Sequence, residues 1–248
     1  MFTPEERERV RSRVFELARG DGRITGGALT GSVTVGAEDR WSDVDTSFGV
    51  TDGVDPRAVL DEWTPLLDRE LHFLHHFDLA HGPTLYRVFL LPTTLELDIA
   101  LTPAGDFGAR GPNFRLVFGE SADVTASQPP SPDELIGYGW LYAFSARAAI
   151  ARGKLWQAES FVEAVRNYGL ALACLRHDLP TAYARGVHRL EANVTAPWEE
   201  TLVRSLDPHE LRRALAVAAR ELVREVAEVD LALANRLREP LRAAADAA

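Results

Sequence analysis

Two aspartates one residue apart, Asp43 and Asp45, open the apolar run Val44–Val50, and the pair Gly31-Ser32 stands ten residues before them. Residues two apart in an extended chain point to the same side, so Asp43 and Asp45 present both carboxylates together while Val44 turns the other way. Like charges held this close repel unless a cation sits between them. Ligands made only of oxygen suit Mg²⁺, which binds through a few carboxylates plus substrate phosphates and keeps several waters. Upstream, Gly31 lets the backbone turn sharply and approach a ligand, and "SVTVGAE" can form a short helix whose free N–H groups face a phosphate. The joint reading is a nucleoside triphosphate with Mg²⁺, the phosphates held at Gly31 and Ser32, with Ser42 beside them.

A two-metal phosphoryl site wants one more carboxylate from another strand. The stretch "LELDIALTP" supplies Asp98 between Leu97 and Ile99, with Glu96 as a second candidate on the same strand face. Asp98 is thereby both a metal ligand and a candidate base for an acceptor hydroxyl.

Gly-Ser, ten residues, Asp-x-Asp, and then a later hydrophobic-Asp-hydrophobic strand resembles the nucleotidyltransferase superfamily that includes DNA polymerase beta. The resemblance spans about residues 25 to 103. The helical half that follows is similar in kind to that of the small antibiotic-resistance nucleotidyltransferases acting on aminoglycosides and lincosamides. The resemblance implies that Gly31 and Ser32 hold the triphosphate of ATP, Asp43 and Asp45 bind Mg²⁺ as one of two ions, and Asp98 is the third carboxylate. It also implies an active site in a cleft between two domains. Val35 departs from the pattern, because several family members carry an arginine there. In the antibiotic enzymes the helical domain helps bind the acceptor and in some supplies a glutamate base, which makes Glu159 a candidate. Lys154, the only lysine of the chain, is a candidate for the leaving pyrophosphate, a task for a mobile point charge.

The elements that must position these residues follow from punctuation and periodicity. Thr3-Pro4-Glu5-Glu6, Ser131-Pro132-Asp133-Glu134 and Asp207-Pro208-His209-Glu210 each offer an N-cap oxygen, a proline at the first helical position and a glutamate three residues after the cap. Helices are expected over about 4–19, 56–71, 132–153 and 155–178, in "EETLVRSL", and from His209 to the end; strands are expected in "VDTSFGV", "LHFLHHFDLA", "TLYRVFLLP" and "LELDIALTP". The segment after Pro103 is rich in Gly, Pro and Ser and reads as a connector. The fold class is α+β: a catalytic domain over residues 1–105 with a mixed sheet, a connector over 106–130, and a helical substrate-binding domain over 131–248.

Composition narrows the partners. The chain has 248 residues and a formal charge of −10, which disfavours a polyanion such as nucleic acid and suits a small, cationic acceptor. One cysteine, Cys174, excludes a disulfide framework and fits a reducing cytoplasm, and no apolar run approaches the about 20 residues of a membrane span. His72, His75, His76 and His81 scatter over both faces of a strand and read as edge histidines rather than zinc ligands. Trp140, Tyr142, Phe144 and Trp156 read as packing residues, Phe161, Val165, Tyr168, Leu172 and Leu175 as one apolar helix face, and Glu163 with Arg166 as an exposed pair. Arg110 and Arg115 read as connector residues. The expected reaction is transfer of AMP from ATP to a hydroxyl of a small molecule. The alternatives are modification of a protein partner, as in antitoxin-type members, and a non-catalytic nucleotide sensor; oligomeric state is unread.

Overall fold

The computed structural model describes residues 1–246. Ala247 and Ala248, included above in the helical domain, lie outside the described residues. The chain divides into two compact units, Met1–Ser127 and Gln128 onward.

In the first unit, helices α1 (Pro4–Gly20) and α2 (Pro56–Leu71) begin with proline after a capping side chain: Thr3 accepts from the Glu6 N–H at 3.2 Å, and Asp55 accepts from the Arg57 N–H at 2.9 Å. Pro65 lies inside α2. The strands are β1 (Ile24–Thr30), β2 (Val44–Val50), β3 (His75–His81), β4 (Thr84–Leu90), β5 (Glu96–Pro103) and β6 (Phe114–Gly119). They form one sheet in the order β3-β4-β5-β2-β1-β6. β2 and β5 run parallel, and the other neighbours run antiparallel. α2 and the β3–β4 hairpin supply the long connection that a parallel pair requires.

Alternation along the strands sorts the sheet into two faces. Val44, Phe48 and Val50 of β2 and Leu97, Ile99 and Leu101 of β5 are fully buried and pack with Val10, Val14 and Phe15 of α1 and Val59, Leu60, Trp63 and Leu67 of α2. Arg87 on this side is buried as well, paired with Asp78 at 2.6 Å and Asp61 at 2.8 Å. The opposite face carries Asp45, Ser47, Asp98, Thr102 and Tyr86. His75, His76 and His81 lie on β3, an edge strand, and His72 caps α2.

Two strands escape the sequence pattern. β1 contains Gly26 and Gly27, which argue against a strand on propensity. Both are demanded by β6 and the residue that follows it, since a Cβ on Gly26 would lie 2.4 Å from the Glu120 carbonyl oxygen and one on Gly27 would lie 2.3 Å from the Phe118 ring. β6 itself lies within the segment read as a connector and pairs with β1 across a bulge.

The second unit contains α3 (Pro132–Ala151), α4 (Leu155–Arg176), α5 (Ala192–Glu199), α6 (Pro208–Ala227) and α7 (Leu231–Asp246). Ser131 and Asp207 cap α3 and α6 as the punctuation predicts, at 3.1 and 2.8 Å. Residues 200–206 are not helical, and the helix expected from His209 to the end breaks at Glu228–Asp230, where Asp230 accepts from the Leu233 N–H at 2.8 Å. The core is built from α3, α4, α6 and α7, with Leu135, Ala146, Val162, Val165, Leu215 and Leu222 among its buried residues. Of the expected apolar face on α4, Val165 and Leu172 are buried, whereas Phe161, Tyr168 and Leu175 are half-buried. Arg166 turns to the Thr201 carbonyl at 3.4 Å rather than to Glu163. Tyr142 and Phe144 pack partly against the core, but Trp156 is 76% exposed. Among the described residues no helix is long and apolar enough to cross a membrane.

Candidate functional site

β1 ends at Thr30, and the chain enters a single 3-10 turn, Gly31–Val35, closed by Gly36 in the left-handed region. The short helix expected here is therefore five residues long. Gly31 has φ +72°, and a Cβ on it would fall 2.0 Å from Asp45 Oδ2, so the position needs glycine for its backbone and for its neighbour. The glycine turn and the second aspartate, separated by fourteen positions in sequence, are thus in contact.

The loop between them is tied down. Ser42 Oγ receives the Asp39 N–H at 2.9 Å and lies 3.2 Å from Ser32 Oγ, which joins the two serines expected at the nucleotide. Hydrogen bonds, first from the Trp41 N–H and then from Ser42, hold the Asp39 carboxyl below the usual range. From below, Arg7 and Arg11 of α1, both more than nine-tenths buried, grip the loop. Arg7 donates to the carbonyl oxygens of Asp39 and of Ser42, the latter at 3.0 Å, and pairs with Glu38 at 3.1 Å; Arg11 also pairs with Glu38. The carbonyl of Ser42 leads directly into Asp43, so α1 positions the first aspartate. Sequence reasoning missed these two arginines, although their i, i+4 spacing beside Val10 and Val14 on an otherwise apolar stripe was a signal.

Asp45 and Asp98 stand directly opposite each other in the parallel register of β2 and β5, and the Thr46 hydroxyl locks the pair of strands by donating to the Asp98 carbonyl at 2.9 Å. Asp98 Oδ1 is buried without a hydrogen-bond partner. Burial first, then the charges of Asp43 and Glu96, pushes the Asp98 carboxyl up to about 6. Tyr86, on the neighbouring β4, is raised too, by burial and then by Asp98 and Asp45, against an opposing pull from Arg110. Asp43, Asp45 and Asp98 thus share one electrostatic neighbourhood, with Glu96 at its edge.

Among the described residues no group of three or more His, Cys, Asp or Glu side chains is already gathered tightly enough to hold a metal ion. The donor set itself fits Mg²⁺: it is all oxygen, and one buried oxygen lacks a partner.

Lys154 and Glu159 belong to the second unit. Lys154 is the exposed N-cap of α4, and its side chain makes no capping bond; Glu159 is half-buried one turn into the helix. Val35 is 54% exposed. In the connector, Arg115 is an exposed residue of β6, whereas Arg110 comes over the open sheet face and lines a cavity with Ser47 and Tyr86.

No family model matches this chain, and no curated protein matches it. Among solved structures it is similar to an aminoglycoside 6-adenyltransferase from Bacillus subtilis, at 13% sequence identity and a TM-score of 0.39, over 98% of this chain and 99% of that one. A likeness of that size leaves the site to be read from its own residues.

Proposed function

We propose that this protein transfers a nucleoside monophosphate, AMP from ATP as the first candidate, to a hydroxyl of a small, uncharged or cationic acceptor and releases pyrophosphate. The observation that carries the reading is the meeting of three separate segments at one point: the Gly31 turn against the Asp45 carboxylate, and Asp45 in register with Asp98.

The roles follow from that arrangement. The glycine turn lets backbone N–H groups approach the triphosphate, and Ser32 and Ser42 offer hydroxyls to it. Asp43, Asp45 and Asp98 would hold Mg²⁺, which when bound neutralises the triphosphate charge. The acceptor oxygen forms a bond to the α-phosphorus, and the bond from that phosphorus to the bridging oxygen breaks, so pyrophosphate leaves with the electron pair. The hydroxyl proton passes to a carboxylate. Asp98 suits this role because its Oδ1 is buried without a partner beside Asp45, where an acceptor hydroxyl could be held. Glu159 is the alternative base and Lys154 the candidate cation for pyrophosphate. The formal charge of −10 favours the cationic end of the acceptor range.

The test is one screen: each of four nucleotides with Mg²⁺ against aminoglycosides, lincosamides and cell metabolites, read by pyrophosphate release and product mass. Transfer by the wild type that is lost in Asp45→Asn, with the fold intact, supports the reading. Turnover unchanged in that variant would sink it. Tight ATP binding with no pyrophosphate released to any acceptor would favour a nucleotide sensor instead, and nucleotide added to a co-expressed protein would favour a protein acceptor.

A further inference from the structure

β3 (His75–His81) is an outer strand of the sheet, and among the described residues only β4 pairs with it. A free strand edge offers its backbone N–H and C=O groups to any second strand, and native proteins blunt such edges with bulges, proline, lysine or other charges. The opposite edge is blunted in this way: β6 follows Gly111-Pro112, meets β1 across a bulge, carries the exposed Arg115 and stops at Gly119, whose φ is +74°. β3 has none of these devices on its open face. All seven of its residues pair with β4 in unbroken register, with no proline, glycine or lysine among them.

Its outward side chains on that face are apolar. Residues directly opposite in a ladder share a face, so the row Phe77, Val88, Asp98, Asp45 crosses β3, β4, β5 and β2 on the open side of the sheet. At the end of that side Phe77 and Leu79 are 47% and 50% exposed, and Leu90 beside them is exposed as well.

We infer that β3 pairs antiparallel with β3 of a second copy of this chain, about a two-fold axis at Asp78, so that the two sheets become one. The strand "HHFDLAH" is self-complementary about that residue. Phe77 then stands opposite Leu79 of the second copy, and Leu79 opposite its Phe77, an aromatic–aliphatic pair made twice. His76 meets Ala80 and His75 meets His81 toward either end. This register alone pairs the whole strand. Moving the axis to Phe77 or to Leu79 leaves residues at one end without a partner and sets an apolar side chain against an imidazole.

Charge complementarity supports the same axis. Two bare carboxylates directly opposite each other would repel. Each Asp78, however, is already held by Arg87 at 2.6 Å and by Arg57. The Arg57 side chain is more than half exposed, which leaves N–H donors for Asp78 of the second copy, so that acids and guanidiniums alternate across the axis. A two-fold axis perpendicular to the sheet keeps both open faces on one side, and the aspartates of the two copies open in the same direction. The inference stands whether or not those aspartates catalyse nucleotide transfer.

Analytical ultracentrifugation of the full chain, from low to high micromolar concentration, is the test. The expected result is a reversible species of twice the 27.3 kDa chain mass. Its dissociation constant should rise at least about tenfold in Phe77→Lys and in Leu79→Lys, each of which puts an ammonium on the edge. Neither side chain belongs to the buried core, so circular dichroism and urea melts should match the wild type. A double variant, Phe77→Cys with Leu79→Cys, reads the register: opposite residues of an antiparallel ladder have Cα atoms about 4.5–5.5 Å apart, within disulfide reach. The natural Cys174 is buried. Mild oxidation should link the double variant into a dimer on a non-reducing gel and leave each single variant unlinked, because equivalent positions lie diagonally across the axis. A wild type that stays monomeric throughout, a dimer that both lysine variants leave unchanged, or a double variant that does not cross-link would overturn the inference. If the lysine variants do not fold, the cysteine pair decides.

Discussion

On one face of β2 and β5 stand Val44, Phe48, Leu97 and Ile99, all fully buried; on the other, one residue along each strand, stand Asp45, Ser47 and Asp98, half-buried. The same backbone register fixes both sets, because a strand alternates its side chains between faces. The packed face gains by burying apolar area. The open face pays, with a carboxylate held among other carboxylates and one of its oxygens left without a partner. The lesson is that a site of like charges can be carried by a small domain when the cost falls on one face and the stabilisation on the other, with the two locked in register by bonds such as Thr46 to the Asp98 carbonyl.

The strongest way to break this comparison is to carry the open face's chemistry to the packed one. Val44→Asp puts a carboxylate where relative exposure is 0%, and removing an unpaired ion from water costs several kcal/mol, about 3 or more. We expect little folded protein, measured by circular dichroism and urea melts; a variant as stable as the wild type would show that the faces are not distinct. Next in size is Ile99→Ala, one residue from Asp98. Truncating a fully buried side chain should cost about 2–5 kcal/mol in urea unfolding, with the site's charges unchanged.

Gly31→Ala sharpens the comparison from the open side. The left-handed conformation at φ +72° costs a residue with a side chain about 1–2 kcal/mol. The new Cβ must also displace the Asp45 carboxylate, against which it would be built at 2.0 Å. Thermal melting should therefore fall only modestly, while Mg²⁺-dependent pyrophosphate release falls much further. A loss of stability with full release would mean that the Gly31–Asp45 contact has no part in the chemistry.

The two faces were not equally legible. β2 and α2 were readable to their ends, because "VDTSFGV" and "PRAVLDEWTPLLDREL" carry clean periods of strand and helix. Asp43, Asp45 and Asp98 were readable because a polar residue in an apolar strand is conspicuous. β1 was hidden because Gly26 and Gly27, which let it pack, also erase its strand pattern, and β6 was hidden because the Gly-, Pro- and Ser-rich segment around it reads as a connector. Arg7 and Arg11 were hidden because a buried arginine is recognisable only once its partners, Glu38 and the Asp39 and Ser42 carbonyls, come near from another segment. In the second unit, the end of α5 and the break between α6 and α7 depend on caps and tertiary packing more than on period.

The smallest effect, and the most discriminating, is a gain. Asp98 binds its proton more tightly in the folded chain, at about 6 against 3.8 for the free group. Between those values the folded state holds more protons than the unfolded one, so stability falls as pH rises through that window and stays lowered above it. Asp21 and Glu210 work in the opposite direction. Their carboxyls are depressed to about 2, chiefly by hydrogen bonds from Arg23 and Arg213, so their contributions are in place above the ordinary carboxylate range and lost only in acid. From about pH 4.5 to 7 the fall due to Asp98 should therefore stand out. Asp98→Asn, which cannot ionise, should match the wild type near pH 4 and melt higher at pH 7.5 when chelator is present, by an amount smaller than the Ile99→Ala loss because solvent screens a half-exposed group. Added Mg²⁺ should raise the wild type toward the variant and leave the variant unmoved. A wild type whose melting temperature is flat across pH 4.5–7 in chelator would mean that the open face carries no charge cost, and the contrast between the faces would reduce to packing alone.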